Sequence, residues 1–149
     1  QGLWVSVTLA AGLAAMTADE LKPFGLAGAC GLALWIVGFV VEVVADKQKS
    51  KFKKEHPGEY ITGGLWQYSR HPNYLGEIIL WVGISVLALP VLSGWQYATL
   101  ISPVFVCFLL IKVSGIRMLE FQANKRWGKD PAYQTYRANT PALVPRLRF

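Results

Sequence analysis

The chain has 149 residues, 53% of them hydrophobic and 13% aromatic, and its mean hydropathy is +0.33. That is too apolar for an ordinary soluble domain of this size, so the composition points to a small integral membrane protein. A formal charge of +6 and a pI near 9.5 favour anionic ligands or lipid head groups, and two cysteines are too few for a disulfide framework.

The first apolar window, Gly2–Met16, is short and lacks the basic flank and cleavage pattern of a secretory signal, so it reads as the tail of a transmembrane helix. The second, Phe24–Val44, is long enough to cross a hydrocarbon core of about 30 Å as one helix. It is crowded with Gly25, Ala27, Gly28, Ala29, Gly31, Ala33 and Gly38, residues that let helices approach closely. Cys30 here and Cys107 further on have no second cysteine or histidine at metal-ligand spacing, and both read as buried small side chains; no metal is expected.

At the end of the second window Glu42, Asp46, Lys49 and Lys53 follow at steps of four, three and four, so a continuing helix presents them on one face. His56-Pro57-Gly58-Glu59 is expected to break that helix, and Gly63-Gly64 to break the chain again before Leu65-Trp66-Gln67-Tyr68. Trp66 and Tyr68 have two readings, as stacking faces for an aromatic ligand or as ordinary interfacial aromatics.

Next comes Ser69-Arg70-His71-Pro72-Asn73-Tyr74-Leu75-Gly76-Glu77. Pro72 suits the first position of a helix that runs through Trp81 and on into the third window, Ile78–Leu92. The N–H groups of Asn73, Tyr74 and Leu75 are expected to point outward unpaired, and with Arg70 they form a start that attracts a phosphate or carboxylate. The alternative makes Arg70 and His71 interfacial anchors and Asn73 a local cap. Glu77, one turn inside the helix, favours a functional contact, because an unpaired carboxylate is costly there.

The fourth window, Trp95–Val113, again spans a bilayer. After it Arg117 and Glu120 stand three apart and are expected to pair on one face. Trp127-Gly128-Lys129-Asp130-Pro131 reads as a turn, and Tyr133 and Tyr136 share a helical face before Pro141 and Pro145. Lys47, Lys49, Lys51, Lys53, Lys54 and Arg70 lie between the second and third windows, and Arg117, Lys125, Arg126, Lys129, Arg137, Arg146 and Arg148 follow the fourth. The opposite loops hold only Lys22, beside Asp19 and Glu20, which places the basic loop and the C-terminal tail together on the cytoplasmic side.

Four ordered blocks carry a family resemblance. Glu42-x3-Asp46-x-Gln48, the run Gly64-Leu65-Trp66-x-Tyr68-Ser69-Arg70-His71-Pro72-Asn73-Tyr74-x-Gly76-Glu77, Ser114-Gly115-Ile116-x2-Leu119-Glu120, and Tyr133-x2-Tyr136-x3-Thr140-x4-Pro145 resemble the DUF1295 branch of the steroid 5-alpha-reductase-like membrane enzymes. The resemblance covers roughly Trp35 to Pro145. It implies an all-α, polytopic transmembrane bundle of about four membrane helices with a cytoplasmic loop and tail. It also implies an oxidoreductase that binds NADPH and reduces a carbon–carbon double bond of a lipid such as a steroid or enone.

The cofactor-binding residues it implies, together with those the charge pattern suggests, are Asp46, Lys49, Lys53, Arg70, His71, Asn73, Tyr74, Glu77, Arg117, Glu120, Tyr133 and Tyr136. Family members usually carry further membrane helices upstream, so residues 1–149 are expected to form one membrane domain, the C-terminal portion of a longer reductase-like fold. The catalytic acid stays unassigned. No Gly-rich dinucleotide fingerprint follows a strand, which argues against a Rossmann site.

Two other readings stay open. Isoprenylcysteine carboxyl methyltransferases resemble the Arg-His-Pro-x-Tyr-x-Gly block, which admits S-adenosylmethionine-dependent methyl transfer. A non-catalytic membrane scaffold whose basic loops meet anionic lipid is the other. Membrane lipids and a lipid-like substrate are the expected partners, with no nucleic acid.

Overall fold

The computed structural model describes residues 2–18, 23, 25–113 and 115–145. Asp19, Glu20, Lys22, Ser114, Arg146 and Arg148 lie outside them, and the charge and motif assignments that fall on those residues go with them. The described residues form helices and turns with no strand: α1 (Gly2–Met16), α2 (Leu26–Glu55), α3 (Pro72–Ala88), α4 (Ile101–Phe108), α5 (Ile116–Trp127) and α6 (Pro131–Asn139). Short 3₁₀ turns cover Gly64–Gln67, Leu89–Val91 and Gly94–Leu100, and a π turn covers Leu109–Val113.

Three runs among the described residues hold an apolar stretch long enough to cross a membrane, Leu26–Glu55, Pro72–Val91 and Gly94–Trp127, and Val5–Met16 is a shorter apolar helix. The protein is therefore an all-α integral membrane protein with about four membrane helices. The polar ends of the first and third runs extend past their apolar stretches, which close at Val44 and near Lys112.

The chain divides into two compact units, Gln1–Phe39 with Glu77–Leu109, and Val40–Gly76 with Leu110–Phe149. In the first, Ala11, Ala88 and Leu92 form a buried apolar cluster joined by Ala14, Ala15 and Leu100. Ser102 donates its hydroxyl to the Thr8 carbonyl, which satisfies a polar group inside this apolar packing. Leu32, Leu34, Ile36, Val37 and Phe39 stay exposed, as side chains that face lipid do. Cys30, expected to be buried, is also exposed on α2, and Cys107 is half buried.

The second unit carries the polar half of the chain. α2 stops at Glu55, one residue before His56-Pro57, as the helix-breaking pair requires. His56 is exposed and stacks on Phe52 with centroids 4.5 Å apart. Gly64, with φ +64, opens the 3₁₀ turn in a conformation L side chains rarely adopt, and a Cβ there would sit 2.6 Å from the Gln48 amide. The adjacent Leu65 N–H donates to Gln48 Oε1 at 3.0 Å, so this glycine lets the loop lie against α2.

A candidate nucleotide cavity in the polar unit

The cavity is built from its walls inward. Trp66 is buried, and its indole N–H donates to the Ala45 carbonyl of α2 at 3.2 Å. Tyr136 on α6 donates its hydroxyl to the Trp66 carbonyl at 2.6 Å, which ties α6 to the loop. Asp130 caps α6 by accepting the Ala132 N–H at 2.9 Å, and its other oxygen accepts the Tyr60 hydroxyl at 3.1 Å. Tyr60 in turn packs edge-on against Tyr133 and Trp127, at centroid distances of 5.0 and 5.6 Å. Trp127 donates to the Gly58 carbonyl at 2.9 Å. Burial pushes the pKa of Tyr60, Tyr133 and Tyr136 above the ordinary phenol value, most strongly at Tyr136, so all three are neutral donors at physiological pH.

Arg70 fastens this assembly. Its Nε and Nη2 grip the two oxygens of Glu120 at 3.0 and 2.9 Å, while Nη1 donates to the carbonyls of Arg137 and Thr140 at 2.6 and 2.7 Å. His71 Nε2 lies 2.8 Å from Glu120 Oε1, and Arg137 Nε is 3.6 Å from Oε2. The Arg70 N–H donates to the Pro141 carbonyl at 3.0 Å. Thus the last turn of α6, whose carbonyls lack intrahelical partners, is closed by a guanidinium from the loop before α3. Burial works to raise the Glu120 carboxyl, yet hydrogen bonds from His71 and Arg70 and their charges outweigh it and hold it at about 2.

These walls enclose a cavity of about 500 Å³, within the range typical of small-molecule sites. Aromatic rings of Tyr60, Trp66, Trp127, Tyr133 and Tyr136 line it, together with the cations Lys49, Lys53 and Arg126. Lys49 sits 5.3 Å above the Trp66 ring, and Arg126 sits 5.0 Å from that of Trp127.

Of the twelve residues singled out in the sequence, Lys49, Lys53, Arg70, His71, Glu120, Tyr133 and Tyr136 line this cavity. Asp46 lies outside it, exposed on α2 one turn before Lys49. Asn73 and Tyr74 occupy the first turn of α3 outside the cavity lining, and the His71 ring stacks on Tyr74 at 5.8 Å. Glu77 belongs to the other compact unit.

Two expectations are corrected. Arg117 is exposed, and Glu120 pairs with Arg70, His71 and Arg137 instead of its sequence neighbour, because the loop supplies a bidentate partner. The Leu75 N–H does not point outward either; it bonds to the His71 carbonyl at 3.2 Å, so the free start of α3 is shorter than expected. Tyr60, Trp127 and Arg126 were missed as site residues. Their only sequence signal was their place near the two turns at Pro57-Gly58 and Gly128.

Asp130→Ala removes both the α6 cap and the acceptor of Tyr60. The expected cost is about 1 to 2 kcal/mol, seen as a lower Tm in detergent, with Asp130→Asn recovering the cap share.

The family described as "Protein of unknown function (DUF1295)" matches this chain over residues 1–140. Among curated proteins, the chain is 35% identical over 72 residues to 3-oxo-5-alpha-steroid 4-dehydrogenase 1 of Bos taurus, covering 46% of this chain and 27% of that protein. It is 25% identical over 117 residues to steroid 5-alpha-reductase DET2 of Arabidopsis thaliana, covering 77% and 40% respectively. Over 120 residues it is 31% identical to 3-oxo-5-alpha-steroid 4-dehydrogenase 2 of Sus scrofa, covering 77% and 41%. The chain thus spans about two fifths or less of the length of these relatives. No solved structure matches it.

Proposed function

The chain belongs to the DUF1295 family, and from that premise we propose that it serves a membrane reductase that uses NADPH to reduce a carbon–carbon double bond in a lipid such as a steroid or enone. The relative named steroid 5-alpha-reductase supplies the reaction class. The donor set of the cavity carries the rest of the reading. A dinucleotide phosphate needs cations for its phosphates and flat faces for its rings, and this cavity offers Lys49, Lys53 and Arg126 beside six aromatic side chains, Phe52 among them.

NADPH, when bound, supplies a hydride to the alkene. The chain's own side chains bind and orient. In this reading Lys49 and Lys53 hold phosphate, Tyr133 and Trp127 offer ring faces, and exposed Asp46 accepts from a ribose hydroxyl. Arg70, His71 and Glu120 shape the wall through their mutual bonds. The basic loop and the tail face the cytoplasm, on the charge bias around the membrane helices.

The test is thermal unfolding of the detergent-purified chain with NADPH, NADH and S-adenosylmethionine. NADPH at a hundred times its Kd is expected to add about 2.7 kcal/mol of stability, and the double variant Lys49→Gln/Lys53→Gln to lose most of that response. A shift with S-adenosylmethionine alone would replace this reading by methyl transfer, and no shift with any of the three would remove it.

A further inference from the structure

The lysines that follow Val44 divide between two faces of α2. Steps of four, three and four carry Glu42, Asp46, Lys49 and Lys53 down the face that borders the cavity, where Lys49 and Lys53 are lining residues. Steps of four, three, four and three carry Val40, Val44, Lys47, Lys51 and Lys54 down the opposite face. Val40 and Val44 are 50% and 37% exposed, and Lys47, Lys51 and Lys54 are exposed and absent from the cavity lining. One stripe therefore changes from exposed aliphatic to exposed cationic within a single turn.

The depth of the change matches a bilayer boundary. With a rise of about 1.5 Å per residue, Lys47 stands roughly 4 Å past Val44, Lys51 roughly 10 Å and Lys54 roughly 15 Å. A head-group layer adds roughly 5 to 8 Å to each side of the hydrocarbon core. Lys47 falls inside that layer, Lys51 near its edge, and Lys54 within about one Debye length of it. The nearest counter-charge on this face is Glu55, 3.9 Å from Lys51, and both side chains are more than half exposed, which makes the pair weak.

We propose that Lys47, Lys51 and Lys54 form a binding ridge for the head groups of anionic phospholipids, separate from the nucleotide cavity on the other face of the same helix. Lysine suits this task as a mobile point charge on a long stem that follows a fluid surface, and each such charge near the membrane strengthens the attraction. The ridge anchors α2 at the level where its polar half leaves the membrane. Its ligand is a class of lipid in the surrounding bilayer and takes no part in the reduction.

Titrating the detergent-purified chain with phosphatidylglycerol or phosphatidylcholine, at low and at high salt, and following Tm tests this. Phosphatidylglycerol is expected to raise Tm, to do so less at high salt, and to act at lower concentration than phosphatidylcholine. Lys47→Gln/Lys51→Gln/Lys54→Gln is expected to raise the midpoint about fivefold per lysine removed, with NADPH binding unchanged. The cavity pair Lys49→Gln/Lys53→Gln is expected to leave the lipid midpoint within about twofold.

A wild-type lipid response in the triple variant, or an equal response to both lipids, would overturn the proposal. Loss of the lipid response in the cavity pair would overturn it too, by placing the lipid in the cavity. If no variant binds NADPH while the lipid pattern holds, the reductase reading fails and the ridge stands.

Discussion

Glu120→Gln is expected to destabilise the polar unit by about 3 kcal/mol or more. The Glu120 carboxylate meets Arg70 through two short bonds, His71 through a third and Arg137 through a longer contact, with the Arg70 and Glu120 side chains only 13% and 17% exposed. An amide keeps the shape, but it turns one acceptor into a donor facing a guanidinium and leaves that charge without its counter-ion. Arg70→Gln is expected to cost a comparable amount: His71 and Arg137 still face the remaining carboxylate, but the Arg137 and Thr140 carbonyls lose their donor. The double variant should cost less than the sum of the singles, since each removes the same contact. Thermal unfolding in detergent measures all three, and additive losses would show that the contact contributes nothing of its own.

The same group gives the prediction a pH dependence of fixed sign. The folded Glu120 carboxyl is held at about 2, below its unbound value of 4.5, so its stabilising share is full above about 4.5 and is lost as pH falls toward 2. The wild type should therefore lose stability over that interval, and Glu120→Gln, which has no proton to take up there, should lose less. The gap between their Tm values is expected to narrow steadily from pH 5 down to about 2. A gap that stays constant would mean that another group supplies the stability.

How far such features can be read from the sequence depends on how local their causes are. α3 starts at Pro72 because proline's fixed φ and missing N–H suit a first helical position, and α2 stops before His56-Pro57 for a related steric reason. The turn between α5 and α6 and the shared face of Tyr133 and Tyr136 follow equally from neighbours in the chain. The fourth window was legible as apolar but not as interrupted, and it is broken by a 3₁₀ turn and a π turn around α4.

What stayed hidden was chosen by tertiary contact. Glu120 takes partners that are 50, 49 and 17 residues away over Arg117, its helical neighbour, and no periodicity encodes that choice. Half of the candidate site was legible for the opposite reason. Lys49 and Lys53 line the cavity because helical spacing puts them on one face, whereas Tyr60 and Trp127 reach it only because two loops close on each other through the Trp127 bond to Gly58.

Gly83→Val is the substitution expected to do the most damage in the apolar unit. A Cβ on Gly83 would lie 2.6 Å from the Trp35 nitrogen and 2.8 Å from the Gly31 carbonyl oxygen, and a Cβ on Gly31 would lie 2.6 Å from the Leu87 nitrogen. These obstacles are backbone atoms, so no rotamer change relieves them, and α2 and α3 must separate at the crossing. In a membrane, where lipid tails are as apolar as the side chains, close backbone approach is much of what holds two helices together.

Separation therefore forfeits dispersion along the whole contact, and overpacking of this kind costs about 1 to 3 kcal/mol or more. Gly83→Ala should cost part of this, and Gly12→Ala, whose Cβ meets only the Ile84 side chain at an ordinary 3.6 Å, should be near neutral or slightly stabilising. Unfolding of the three variants by a denaturing detergent gives the ranking Gly83→Val, then Gly83→Ala, then Gly12→Ala. Equal stability of the first and last would mean that α2 and α3 do not meet at Gly31 and Gly83.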